Sequence, residues 1–344
     1  MKDFWFNKKV LITGHTGFKG SWLTLVLKYF ESNVYGISLE PNDGVYRLTS
    51  LNSLLHGEMF TDLSIQESYE EVDQVLNSFK PDIVFHFAAQ SLVIEGYKDP
   101  LKTVKTNILS PVYLINSLNS LIHKPTLVIS TTDKVYKYPS SDNTEDSELG
   151  GYDFYSTSKV SKELIIDAFV NHPNYQNINI NKVRSGNVIG GGERGENRLF
   201  TDLILSINNN LDIEIRNPNH VRPWQYILDS IYGYLLVAKN SYENNISQTF
   251  NLNSVINNDY SVKEIAELFK TYSNFNKDIK FYKPSNFKEV EMLKINSHKA
   301  EKELSWKAKV EMDEIIELII KWEEHYKTSN DPTYSLNEIN RYFS

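Results

Sequence analysis

Val10-Leu11-Ile12-Thr13-Gly14-His15-Thr16-Gly17-Phe18-Lys19-Gly20 carries an apolar strand into three evenly spaced glycines, and Ser21-Trp22-Leu23-Thr24-Leu25-Val26-Leu27 continues as a helix-forming run. Glycines at such a turn let it close tightly, let backbone approach a pyrophosphate, and let the next helix pack against the sheet with its positive end toward the phosphates. The stretch therefore predicts a dinucleotide site formed by Gly14, Thr16, Gly17, Phe18, Lys19 and Gly20. Its Gly-x-x-Gly-x-x-Gly spacing departs from Gly-x-Gly-x-x-Gly, so a glycine-rich βα turn without a ligand stays open at this point.

Working outward, apolar runs of strand length recur between helical patterns at Val10 to Thr13, Asn33 to Ile37, Ile83 to Phe87, Thr126 to Ser130 and Ile178 to Arg184. Ser64 to Phe79 and Pro100 to Leu121 have helical periodicity, and Lys80-Pro81-Asp82 ends the first of these before the next strand. The alternation predicts an α/β fold, a doubly wound parallel sheet of Rossmann type, with a smaller and partly discontinuous C-terminal substrate domain. We assign residues 1–187 to the nucleotide-binding domain, with 226–255 returning to it. Residues 188–225 and 256–344 go to the substrate domain, because Gly190-Gly191-Gly192 opens a loop and the Asn- and Pro-rich segment 208–223 holds only a short strand, Ile213-Glu214-Ile215.

The 344 residues are 40% hydrophobic and 23% charged, enough for a large core, and the net charge of −8 argues against general affinity for nucleic acid or anionic membranes. Small molecules are the expected partners. With no cysteine the chain has neither disulfides nor thiolate metal sites, and no metal cluster stands out. The first strand follows the N-terminus at once and no apolar run is long enough to span a bilayer, which predicts a cytoplasmic protein.

Tyr155 and Lys159 stand four residues apart at the head of a helix running to about Asn171, hence on one face. A phenol is a poor base at neutral pH; the lysine, together with a nicotinamide cation, is expected to lower its pKa. Among 21 tyrosines some Tyr-x-x-x-Lys pairs arise by chance, but this one follows the fourth of the five strands above. That is where the short-chain dehydrogenase/reductase superfamily keeps its catalytic pair, and the chain resembles the extended branch. At the end of that strand Thr132 suits a hydrogen bond to a sugar hydroxyl, while Asp133 and Lys134 add an acid and a base that a simple dehydrogenase or epimerase does not need. An exposed, salt-bridging turn is the plain alternative.

The Asp-Lys pair and several longer strings resemble the CDP-glucose 4,6-dehydratase subfamily of the NAD-dependent epimerase/dehydratase family. The strings are residues 14–23, Ala88-Ala89-Gln90, Thr132-Asp133-Lys134, residues 186–192 and Arg222-Pro223-Trp224-Gln225. The resemblance implies NAD as cofactor, with Ser38, Asp62, Leu63, Ala88, Ala89, Gln90, Asn107, Tyr155 and Lys159 joining the glycine loop around it. It implies Asn187, Arg198, Arg222 and Gln90 as ligands of a nucleotide sugar, the arginines neutralising phosphate. It further implies a homodimer or dimer of dimers through the Asn107 and Tyr155 helices, and a place in making the deoxysugars of bacterial surface polysaccharides such as O-antigen. The implied reaction is a lyase reaction. Tyr155 deprotonates the 4-hydroxyl as hydride leaves C4, Lys134 removes the C5 proton, Asp133 protonates the departing C6 hydroxyl, and hydride returns to C6. Lys134 must be neutral to act as a base.

The departures fall around the pockets. Serine stands at position 38, where an acid usually binds the adenosine ribose, with Glu40 the candidate substitute; no arginine adjoins this strand end to favour NADP. Ser91 replaces a proline, Ile94 an arginine, Tyr226 a histidine, and Lys288-Glu289-Val290 a His-Glu-Ala. A 4,6-dehydratase or 4-epimerase for another nucleotide sugar therefore stays open, as does a non-catalytic NAD(P) sensor.

Overall fold

The computed structural model describes every residue except 42, 254–259 and 283–289, so Lys288 and Glu289 lie outside the described residues. The strands are β1 (Lys9–Thr13), β2 (Asn33–Ser38), β3 (Gly57–Phe60), β4 (Ile83–His86), β5 (Thr126–Ser130), β6 (Asn179–Ser185), β7 (Asn187–Ile189), β8 (Ile213–Arg216), β9 (Trp224–Tyr226), β10 (Thr249–Leu252) and β11 (Ile279–Tyr282). Seven of them form one parallel sheet in the order β10-β6-β5-β4-β1-β2-β3. The order reverses between β1 and β4, the switch point at which ligands of such sheets bind. Two small parallel sheets, β7 with β9 and β8 with β11, stand apart.

The five strands read from the sequence are β1, β2, β4, β5 and β6, with ends within a residue of expectation. Their near-unbroken burial, apolar in β1, β4 and β5 and largely polar in β6, is what helices on both faces impose. β10 does return to the main sheet beside β6. The edge strand β3 went unseen because Gly57-Glu58-Met59-Phe60 is short, polar and only half covered. The helical run expected from Pro100 to Leu121 is broken by a π-turn at Lys105–Leu109 between the helices Pro100–Val104 and Ser110–Asn119. Pro111 explains it: without an N–H, and with its ring against the carbonyl four residues back, it cannot continue a regular ladder past Asn107.

Two cores flank the sheet. Leu11, Val84, Leu127 and Ile129 pack with the helices Tyr69–Phe79 and Ser110–Asn119 on one face. On the other, Ile12, Trp22 and Phe85 share one cluster with Phe200, Trp224, Phe250, Trp322 and Ile339. The helix Phe18–Tyr29 is buried from Gly20 through Leu27, and Trp22 Nε1 donates to Gly191 O at 3.0 Å. The C-terminal helices Met312–His325 and Thr333–Phe343 therefore belong to the same apolar mass as the sheet.

Candidate functional site

Gly14 has φ +76°, its N–H donates to Ile37 O at 2.7 Å, and a Cβ there would stand 2.7 Å from Ala88 N. A Cβ on Gly20 would stand 2.1 Å from Gly14 O. Both positions demand glycine. Gly17 caps the helix Phe18–Tyr29 with no side-chain hydrogen bond, and no acid lies in the first turn. The N–H groups are left for an anion, so the cradle fits a dinucleotide pyrophosphate.

Around this loop, Thr16 Oγ1 and Ser38 Oγ lie 2.7 Å apart, tying the second glycine to the end of β2. Glu40 is exposed beyond it. His15 is fully buried; its Nε2 lies 3.0 Å from Glu58 Oε2, which also accepts from Tyr46 Oη at 2.7 Å. Burial lowers the imidazole's pKa. Glu58 sits on the unseen strand β3, so its partnership with the glycine loop had no sequence signal. Asp62 Oδ1 accepts from Ser64 N at 2.9 Å, while Leu63 is buried in the core of the opposite face.

Asn107, in the π-turn, accepts from Gln90 N at 3.0 Å and donates to Gln90 O at 3.0 Å and Ser158 Oγ at 2.9 Å. It thereby fixes the loop after β4, with Ala88 and Ala89, to the helix Phe154–Asn171. The Gln90 amide is itself engaged, donating to Thr103 Oγ1 of the helix Pro100–Val104 at 2.9 Å and accepting from Leu92 N in its own loop at 2.5 Å.

The turn after β5 gathers the candidate reacting groups. Thr132 Oγ1 donates to Asp133 Oδ1 at 2.9 Å, and Asp133 is 3% exposed, its Oδ2 buried with no hydrogen-bond partner. Burial raises its pKa against the pull of Lys134, Thr132, Arg222 and Lys19. The carboxyl is thus buried and not a solvated surface anion, which removes the salt-bridging-turn alternative. The Lys134 and Lys159 ammoniums lie 5.9 and 5.5 Å from the Tyr155 ring centre.

The expected lowering of Tyr155 by its lysine does not appear in the protein alone. Burial pushes the phenol up to about 12, the Thr132 hydroxyl and Arg198 drawing it partly back. Lys159 is itself held well below its ordinary value, first by burial and then by Lys162 and Lys19. A buried lysine crowded by two others is a weak source of positive charge, and burial wins. Lys162, with Nζ donating to Ser130 O at 2.7 Å, is brought down to about 8, also by burial. Next to it Glu163 receives Arg184 Nε at 3.1 and 3.0 Å and Nη2 at 2.6 Å, and accepts from Thr131 Oγ1 at 2.5 Å. Lys162 and Glu163, three and four residues past Lys159, brace the ends of β5 and β6. Their helical spacing was the available signal.

Lys19 was expected at the cofactor. Its Nζ reaches Ser185 Oγ at 2.9 Å, and burial lowers it to about 8, with Arg198 adding to the effect and Asp133 and Glu193 opposing it. Asn187, Arg198 and Arg222 line one cleft of about 330 Å³ with Lys134, Ser91 and Ile94. Arg222 is buried, donating to Val221 O at 2.9 Å and Glu291 O at 3.1 Å and lying 2.7 Å from His220 Nδ1. Arg198 is one-third exposed, with Nε 3.7 Å from Glu193 Oε1. Ser91 and Ile94 do border the cleft. Tyr226 does not; it is buried against Glu338 of the last helix, so this departure lies outside the cleft wall. Among the described residues no three His, Cys, Asp or Glu side chains group as metal ligands, and no helix is long and apolar enough to cross a membrane.

The family model described as GDP-mannose 4,6-dehydratase matches residues 11–319. The CDP-glucose 4,6-dehydratase of Salmonella typhimurium is 33% identical, covering all of this chain and 98% of its own. Among solved structures, UDP-glucuronic acid 4-epimerase from Bacillus cereus in complex with UDP-glucuronic acid and NAD superposes with TM-score 0.79 at 23% identity, over 92% of this chain and 99% of that one. The NAD complex of dTDP-glucose 4,6-dehydratase from Bacillus anthracis gives 0.74 at 19%, over 92% and 96%. The fold, the glycine cradle and the Thr-Asp-Lys turn facing a Tyr-x-x-x-Lys helix thus meet a family match spanning most of the sequence, and the chain belongs to the GDP-mannose 4,6-dehydratase family.

Proposed function

We propose that the protein is an NAD-dependent lyase that dehydrates CDP-glucose to CDP-4-keto-6-deoxyglucose. The observation that carries this reading is Asp133: a buried carboxyl with a raised pKa and an unpartnered oxygen, between Thr132 and Lys134 and close to Tyr155. An epimerase has no use for such a donor. The similarity to the Salmonella CDP-glucose enzyme supports the choice of nucleotide.

Gly14, Gly17 and Gly20 would hold the NAD pyrophosphate, with Thr16, Phe18, Ser38, Asp62 and Leu63 toward the adenosine and Ala88, Ala89, Asn107 and Lys159 toward the nicotinamide. The chemistry that NAD supplies when bound is reversible hydride acceptance, out from C4 and back to C6 of the sugar. Tyr155 takes the proton of the 4-hydroxyl, its high pKa in the protein alone making it dependent on nearby positive charge. Lys134 removes the C5 proton, acid because it lies beside the new ketone. Asp133, protonated, gives its proton to the leaving C6 hydroxyl. Arg198 and Arg222 bind the diphosphate and Asn187 the sugar or its diphosphate.

The proposal includes the division into a nucleotide domain (1–187 and 226–255) and a substrate domain (188–225 and 256–344). It also includes cytoplasmic location and a homodimer. Leu101, Val104 and Leu164 are exposed on the helices expected to pair, which supports the dimer. Incubation with CDP-glucose and, separately, dTDP-, UDP- and GDP-linked sugars tests the reading by the alkali-induced absorbance of a 4-keto-6-deoxy product and by solvent deuterium at C5. Product from CDP-glucose is expected; product only from another donor overturns the nucleotide, and none from any donor overturns the dehydratase.

A further inference from the structure

Glu193 follows Gly190-Gly191-Gly192 and lines the cleft among the groups read as phosphate ligands. It is 9% exposed, a carboxyl set where two negative charges are to arrive. Its surroundings are fixed. Arg194 donates to Glu323 at 2.7 and 2.6 Å, and Glu323 Oε1 also accepts from Gly192 N at 2.9 Å, clamping the loop to the helix Met312–His325. Thr201 Oγ1 donates to Glu193 O at 3.2 Å. The backbone cannot swing the carboxyl out of the cleft.

The charged groups facing it are Arg198 and Arg194 on its own loop, Lys19 from the helix Phe18–Tyr29, and Asp202 from the helix Leu199–Asn208, itself bound to Arg216 at 3.1 Å. Burial raises the Glu193 pKa, Asp202 adds to the rise, and the three cations oppose it. Arg198, with Nε at 3.7 Å, is the most exposed of the three cations and so the one a ligand entering the cleft reaches first. When a diphosphate draws the guanidinium to itself, the carboxylate loses a counter-charge and gains two like charges in a poorly solvated cleft. A proton from solvent is the available compensation.

We propose that Glu193 is a positioning residue for the substrate: it holds Arg198 over the empty cleft and takes up one proton from solvent when the diphosphate of a nucleotide sugar claims that arginine. The inference rests on the reading of Arg198 as a diphosphate ligand. It assigns the pH dependence of substrate binding to a residue that touches none of the reacting atoms.

Calorimetric titration of the full chain carrying Tyr155→Phe, in which turnover is expected to be slowed by about 10³-fold or more, with CDP-glucose in buffers of different protonation enthalpy counts the protons directly. The diester diphosphate does not itself titrate near neutrality. Uptake approaching about one proton is expected near pH 7, with Kd weakening by up to about tenfold per pH unit on the alkaline side. Adding Glu193→Gln is expected to abolish the uptake and flatten the Kd profile, binding at pH 8 becoming tighter than with glutamate; Glu193→Asp is expected to restore uptake. In the otherwise native enzyme the Glu193→Gln change falls on KM and its pH profile and not on kcat. No uptake with glutamate present, or uptake that survives Glu193→Gln, overturns the proposal, and the first of these requires no substitution at 193. If CDP-glucose binds, Arg198→Gln weakens it, and no proton is taken up, only the Glu193 role falls. If CDP-glucose does not bind at all, the substrate reading falls and this inference with it.

Discussion

In the proposed dehydration Asp133 and Lys134, neighbours in sequence, take opposite tasks, and substitutions at each have separable outcomes. In Lys134→Ala, C5 deuterium incorporation and dehydration are both expected to disappear. In Asp133→Asn, exchange at C5 continues while elimination slows by about 10²- to 10³-fold, as mass spectrometry of recovered sugar will show. A result in which Lys134→Ala keeps full exchange removes lysine from the role of base. The sign of the pH effect follows from burial: a carboxyl whose pKa is raised stays protonated to higher pH, so the donor fraction, and kcat with it, falls as pH climbs through that raised value. Asp133→Asn abolishes that limb. Tyr155→Phe is expected to remove turnover by about 10³-fold or more with an unchanged melting temperature. These candidates could be read because they fall in two short contiguous strings. Glu58 could not be, since what gives it meaning is a partner supplied by the fold, His15.

The π-turn at Lys105–Leu109 shows a proline reshaping an element at the point where the element is used. It sets Asn107 to bridge two chain segments, gripping Gln90 on both sides of its backbone and Ser158 on the neighbouring helix. Asn107→Ala strips three hydrogen bonds from a buried junction and is expected to cost about 1–3 kcal/mol, read by urea unfolding, and to weaken NAD binding through the loosened Ala88-Ala89-Gln90 loop. Unchanged NAD affinity sinks the positional role. Periodicity revealed a helix here and could not reveal the turn, because an apolar pattern averages over the one residue at which the ladder widens. For the same reason β3 escaped notice: an edge strand with one half-covered face carries little apolar signal.

Across the whole molecule, the last helix is seated by two acids whose carboxylate oxygens are buried. Tyr342 Oη donates to Asp229 Oδ1 at 2.6 Å and Tyr226 to Glu338, while Asp229 Oδ2 and Glu338 Oε2 are buried without partners. Burial lifts Asp229 to about 6 and Glu338 to about 7. Their folded pKa values exceed the unfolded ones, so the folded state binds more protons between about pH 4 and 7. Stability from this pair is present below that window and lost as pH rises through it. Asp229→Asn with Glu338→Gln is expected to flatten the fall in melting temperature between pH 5 and pH 8; an unaltered slope refutes the assignment. The sequence marked a second unit after residue 188 but not that its helices share a core with the sheet, since packing partners more than a hundred residues apart leave no local trace. That common core has a mechanical consequence. Trp22 and Trp322, 6.4 Å apart, sit in one apolar mass joining the two parts, and prying them apart would expose it to water. Ligand exchange is therefore expected to move rim side chains such as Arg198 and not the two parts against each other, as a lock moves its tumblers inside a still case.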